Sequence, residues 1–174
     1  MTAPIPNTGT SPTERTLGGY ARVATLASVA GLRSMLPLFA TTIAASRGDA
    51  AATYQGQPYA LLRTRVALVG LALAAVGEVI GDKLPTTPSR LAPLPLGGRA
   101  ISGAIVGAVM ARRAALSVPT GALLGTIAAL GGSLVGYQSR ATLGRVTGVP
   151  DRVWAFIEDG IAIGLACVVF TDKR

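Results

Sequence analysis

A chain of 174 residues, half of them hydrophobic and 14% charged, carries far less charge than the roughly 25% usual for soluble domains. Its long apolar runs exclude disorder over most of the length; a single cysteine excludes an intrachain disulfide, and the lack of any histidine excludes a zinc site of the Cys/His type. The net charge of +8 does not point to nucleic acid, because the arginines sit mostly at the ends of apolar runs, where lipid headgroups and the inside-positive bias favour them.

Residues 1–16 are polar and rich in Pro, Thr and Ser, and read as a disordered tail without the pattern of a signal peptide. The first apolar run, Val23 to Ala45, is long enough for a membrane helix. Arg33, Ser34 and Pro37 interrupt its middle. Proline frees the carbonyl four residues back, so the run is either one kinked helix or a half-helix with a re-entrant turn. Broken helices of that kind persist only against protein or a watery cavity.

The second run, 61–84, begins as clean membrane sequence and ends in Glu78, Asp82 and Lys83. Glu78 and Asp82 are four apart and share a helix face. The segment 85–96 holds four prolines with Arg90 among them, and reads as a rigid interfacial connector rather than a helix. The third run, 98–113, follows Gly97-Gly98-Arg99 and closes on Arg112-Arg113. The fourth, 119–138, places Pro119 in a first helical turn. The fifth, 153–170, follows Asp151, a candidate N-cap, and begins near Trp154, a natural interface anchor. Glu158 and Asp159 lie a turn or two inside it.

Glycines recur four apart along these runs: Gly77/Gly81, Gly103/Gly107, Gly121/Gly125, Gly132/Gly136 and Gly160/Gly164. Small residues at this spacing let helix backbones approach closely. The expected fold is therefore all-α: one polytopic membrane domain over 17–174, with about five segments and glycine-rich packing. Five short, smooth helices enclose little interior, so a homo-oligomer is expected. With five spans the basic residues divide almost evenly between the two sides, and orientation stays open.

The pieces GLRSMLP (31–37), GEVIGDKLPTTPSR (77–90), the GGR stretch with its glycines (97–108), GALLG (121–125) and VWAFIEDGIAIG (153–164) together resemble an uncharacterised bacterial integral-membrane family, DUF4126. The resemblance implies a small multi-span protein of the bacterial inner membrane. It marks Arg33, Ser34, Glu78, Asp82, Lys83, Ser89, Arg90, Arg99, Glu158 and Asp159 as positions of interest, and it implies no activity.

Ionised groups inside hydrocarbon spans pair, line a path or hold a ligand. Long basic side chains such as Lys83 and Arg90 snorkel to the interface cheaply, whereas Glu78 is too short to do so. The sharper reading gathers the acids Glu78, Asp82, Glu158 and Asp159 around Arg33. Such a cluster would bind and release a small ion or proton, and an all-oxygen set suits magnesium or calcium. Arg33, Lys83, Arg90 and Arg99 would alternatively clamp an anionic solute or a lipid headgroup. The leading expectation is a small transporter or channel with an intramembrane carboxylate and arginine site, working passively or from a gradient, since no nucleotide-binding loop is present. The alternatives are a membrane-embedded enzyme acting on lipid phosphates and a non-catalytic scaffold. Ser34 and Ser89 have no histidine to activate them, which weakens the enzyme.

Overall fold

A computed structural model describes residues 11–48, 51–56, 58–81 and 91–171. Every regular element among them is helical: α1 (Pro12–Leu32), α2 (Met35–Ser46), α3 (Arg65–Gly81), α4 (Pro93–Arg113), α5 (Val118–Thr147) and α6 (Asp151–Thr171), with 3₁₀ turns at Ala51–Tyr54 and Tyr59–Arg63. Three helices are long and apolar enough to cross a membrane, namely α4, α5 and α6 to Phe170.

The first apolar run divides into two helices. Arg33 is extended (φ −141°, ψ 105°) and Ser34 opens α2. Pro37 then sits in the first turn of α2, where a missing N–H leaves no internal bond unmade. The proline therefore starts a helix here and does not kink one. The chain also reverses direction. Near its start, Gly19 of α1 lies against Ala114 and Leu116 just past the end of α4. At the break, Ser34 meets Ser102 in the middle of α4. At the end of α2, Ala45 packs with Tyr54 and Val109, back towards the end of α4. Helices α1 and α2 thus form a hairpin whose two open ends share the Arg112 end of the bundle, and whose tip lies inside it.

The remaining helices alternate around this hairpin. Helix α3 packs chiefly on α2 and runs from the Arg112 end towards the tip. Helix α4 comes back, α5 goes out again and α6 returns, so that the Arg113 guanidinium lies over the Phe170 ring at 5.4 Å. The core is built by α1, α2, α4 and α6, from Val23, Leu26, Ala27, Leu38, Val106, Met110, Ala111, Ala166 and Val169.

Helices α4 and α5 make the most extensive contact, through facing glycines. A Cβ on Gly103 would stand 2.5 Å from the Gly125 carbonyl oxygen, and one on Gly121 would stand 2.6 Å from that of Gly107. Gly31 and Gly132 bring α1 and α5 together in the same way, while Gly136 is buried on α5. Gly77, Gly81, Gly160 and Gly164 differ from the expectation: among the described residues a Cβ there would meet nothing within 4 Å. Among the described residues they make no close contact between helices.

Several boundaries move. The capping box of Ser11 and Glu14 starts α1 at Pro12, inside the stretch read as a disordered tail. The connector at 85–96 yields its last four residues to α4, which begins on Pro93; prolines in a first turn remove donors that would be orphaned anyway. Helix α5 runs nine residues past Gln138 and stops where Gly148 takes a left-handed conformation (φ 66°), the usual glycine C-cap.

Candidate functional site

The hairpin tip is where side chains from separate helices converge. Breaking a helix exposes carbonyls at the end of one segment and N–H groups at the start of the next. Here the fold supplies partners for both. The Ser133 hydroxyl of α5 shares its one proton between the Gly31 carbonyl at 3.2 Å and the Ala129 carbonyl of its own helix at 2.9 Å. The Ser102 hydroxyl of α4 donates to the Ser34 carbonyl. On the other side of the break, Glu78 reaches across from α3. Its Oε1 accepts from the Ser34 amide and the Ser34 hydroxyl, both at 2.8 Å. Its Oε2 accepts from the Met35 amide at 2.9 Å. A carboxylate on the first amides of a helix gains from charge-assisted hydrogen bonds and from the helix dipole together.

Arg33, 1% exposed, points the other way. Its Nε donates to Asp159 Oδ1 of α6. Two charges taken out of water in this way need each other, because desolvation would otherwise disfavour both. The pair closes one end of a cavity of about 330 Å³ whose other walls are apolar residues of α2, α3 and α6.

A second ionic group lies towards the Asp151 end. Arg140 of α5 donates through Nε to Asp151 Oδ1 at 2.9 Å and pairs with Asp151 Oδ2 through Nη2. Its Nη1 reaches Glu158 Oε2 at 3.4 Å. Asp151 is thus the first residue of α6, bridged to α5, and not the N-cap expected of it. Glu158 is buried (7% exposed) and belongs to this group, although its neighbour Asp159 belongs to the first. Arg99 is also buried, one turn before Ser102 on α4.

Among the described residues, the acids expected around Arg33 take different partners. Asp159 pairs with Arg33, Glu78 caps α2 beside it, and Glu158 turns to Arg140. Asp82, Lys83, Ser89 and Arg90 lie outside the described residues. No group of three acidic or cysteine side chains converges as a metal site among the described residues; each acid there meets a guanidinium or backbone amides. Three contributors escaped the sequence reading. Ser102 and Ser133 carry no charge to mark them in an apolar run. Arg140 followed the expected end of the fourth run at Gln138 and read as an interfacial arginine. Trp154, expected as an interface anchor, is half-buried, and its indole N–H has no hydrogen-bond partner among the described residues.

A family model described as a domain of unknown function, DUF4126, matches residues 21–171. No curated protein and no solved structure matches the chain.

Proposed function

Because the chain belongs to the DUF4126 family, whose description assigns no activity, we propose a function from the site alone: a small membrane transporter or channel whose solute path passes the tip of the α1–α2 hairpin. The observation that carries this reading is the Glu78 carboxylate seated on the first amides of α2, beside the buried Arg33–Asp159 pair. Half-helices that end inside a bundle expose a positive dipole end away from bulk water, and transporters use such ends to hold anionic groups. In this chain an internal carboxylate fills that position. A small anionic solute competing with Glu78 would meet the Ser34 and Met35 amides, the Ser34 hydroxyl and the adjacent guanidinium.

Movement follows from how weakly α3 is otherwise held. It packs chiefly on α2, its described residues include no fully buried one, and Glu78 is its polar link to the tip. Release of that carboxylate by an incoming anion frees α3 to move and opens the tip. Transport is then passive or gradient-coupled. The protein sits in the bacterial inner membrane, with α4, α5 and α6 crossing it and the α1–α2 hairpin and α3 entering from one side. Arg15, Arg22, Arg47, Arg63, Arg65, Arg112 and Arg113 share the end from which the hairpin enters, which makes that end cytoplasmic by the inside-positive bias. The outward glycines of α6, Gly160 and Gly164, offer a face for assembly of copies.

Reconstituted vesicles given gradients of protons, inorganic phosphate or acetate test the proposal. At least one gradient should discharge faster than in empty vesicles. Glu78→Gln should speed it about tenfold or more, since the amide replaces one of the two accepting oxygens with a donor and holds the tip closed less tightly; a lost charge-assisted bond of about 1.5–3 kcal/mol corresponds to that scale. The variant should keep its elution profile, with a melting temperature lowered by only a few degrees. Equal flux in wild type and Glu78→Gln would remove the tip from the path.

A further inference from the structure

The cavity closed by Arg33 and Asp159 does not end within the bundle. It continues along α2 into a second cavity of about 410 Å³, and the two share Leu36, Phe39 and Ile163. Together they form one apolar groove on the α2 surface, flanked by α3 and α6 near the tip and by α6 further out. Its far end is marked by Arg47, the residue that caps α2. From Leu36 to Arg47 the helical rise gives a groove of about 16 Å. Half of a hydrocarbon core of roughly 30 Å is about 15 Å. The groove is therefore one leaflet deep, with the ion pair near the bilayer midplane and Arg47 at the headgroup level.

We propose that this groove binds one acyl chain of an anionic phospholipid, with its phosphate on Arg47. Between the Arg33–Asp159 pair and Arg47 the walls are chiefly aliphatic and aromatic, which suits a tail. The charge at the mouth is positive. Arg47 is exposed there, and Arg113 stands behind Phe170 at the same end, with an Nη1 that is buried and has no hydrogen-bond partner among the described residues. Arginine suits phosphate in geometry as well as charge. The hairpin enters from the leaflet that carries the anionic lipids. A tail seated here lies against α2 between the moving helix and α6, so the lipid would fill the gap that α3 must cross. The site itself is defined by the groove and Arg47, and stands whether or not a solute passes the tip.

The test uses a tryptophan as reporter. Phe170→Trp places one in the groove, and Trp154→Phe removes the native indole. The doubly substituted protein is reconstituted in phosphatidylcholine containing a fixed minor share of a tail-brominated lipid, either phosphatidylglycerol or phosphatidylcholine. Brominated phosphatidylglycerol should quench the groove indole more, corresponding to about a fivefold preference for the anionic lipid from one basic residue. Arg47→Gln should abolish the difference. Equal quenching by the two lipids in the parent protein would overturn the proposal and mean that bulk lipid fills the groove. A preference that survives Arg47→Gln would overturn the assignment of the headgroup. Native mass spectrometry of the unsubstituted chain gives the same comparison without the reporter: retained phosphatidylglycerol, lost in Arg47→Gln, is the expected result, and no selective retention is the opposing one.

Discussion

Arg33 leaves water completely, and a guanidinium does that only with compensation. The Asp159 carboxylate supplies it, at the cost of desolvating a second ion. Removing one member of such a pair typically costs about 3–5 kcal/mol, whereas replacing both with apolar residues of similar volume is often neutral or stabilising. Asp159→Ala should accordingly lower the melting temperature in detergent sharply. Arg33→Met combined with Asp159→Leu should recover most of that loss yet abolish flux. If the double variant is no more stable than Asp159→Ala, the pairing with Asp159 is not what compensates the buried guanidinium. The same physics made Arg33, Glu78 and Asp159 legible from sequence, because an ion in an apolar run must be explained. It could not divide Glu158 from Asp159. Adjacent residues on a helix point about 100° apart, and which of them met Arg33 and which met Arg140 depended on where α5 passed.

At the scale of the element, the break at Arg33–Ser34 separates what local sequence encodes from what the fold decides. Pro37 and the polar pair announced an interruption. Whether the chain ran on as a kinked helix or turned back was settled by distant partners: the Ser133 hydroxyl for the loose Gly31 carbonyl, the Ser102 hydroxyl for the carbonyl of the α2 N-cap, and Glu78 for the loose amides. None of these is near in sequence. The prolines at 93 and 95 misled for a related reason, since a proline reads as a stop but is harmless in a first turn. The glycine pairs were visible as spacing, but spacing alone does not say which of them face a neighbour. Gly125 does, with Gly103 and Gly107 against it; Gly160 does not. Gly125→Leu should therefore cost more than about 3 kcal/mol, on the scale of severe overpacking. Gly160→Ala should stabilise the isolated chain by up to about 1 kcal/mol through helix propensity. Thermal unfolding of both in one detergent checks the contrast. A stabilising Gly160→Ala accompanied by loss of a larger species in light scattering would identify the α6 face as the one that joins copies.

The turned-back hairpin changes the charge balance of the whole molecule. A first run that crossed the membrane would put Arg15 and Arg22 on the side opposite Arg47, Arg63 and Arg65, and the two sides would nearly cancel. Returned to its own side, the hairpin brings all five to one end, together with Arg112 and Arg113. The other end keeps Arg145 and Arg152 among the described residues; Arg140 is tied to Asp151 and Glu158, and Arg99 is buried. Basic residues flanking short loops weigh strongly on orientation whether or not acids lie beside them, and seven against Arg140, Arg145 and Arg152 among the described residues favours a cytoplasmic Arg112 end. Both ends of the chain should then be cytoplasmic, since α1 begins and α6 finishes there. Green fluorescent protein fused after Arg174 should fluoresce, whereas alkaline phosphatase fused after Val149, between α5 and α6, should be active. The discriminating position is Gly48, just past α2. A reporter inserted there within the full-length chain, so that the partners on α3, α4 and α5 are kept, should report the cytoplasm, as a hairpin requires. An active phosphatase at Gly48 with a fluorescent C-terminal fusion would mean that the first run crosses the bilayer after all, and the tip would lose the interior position on which the Arg33–Asp159 pair, the Glu78 cap and the one-leaflet groove all depend.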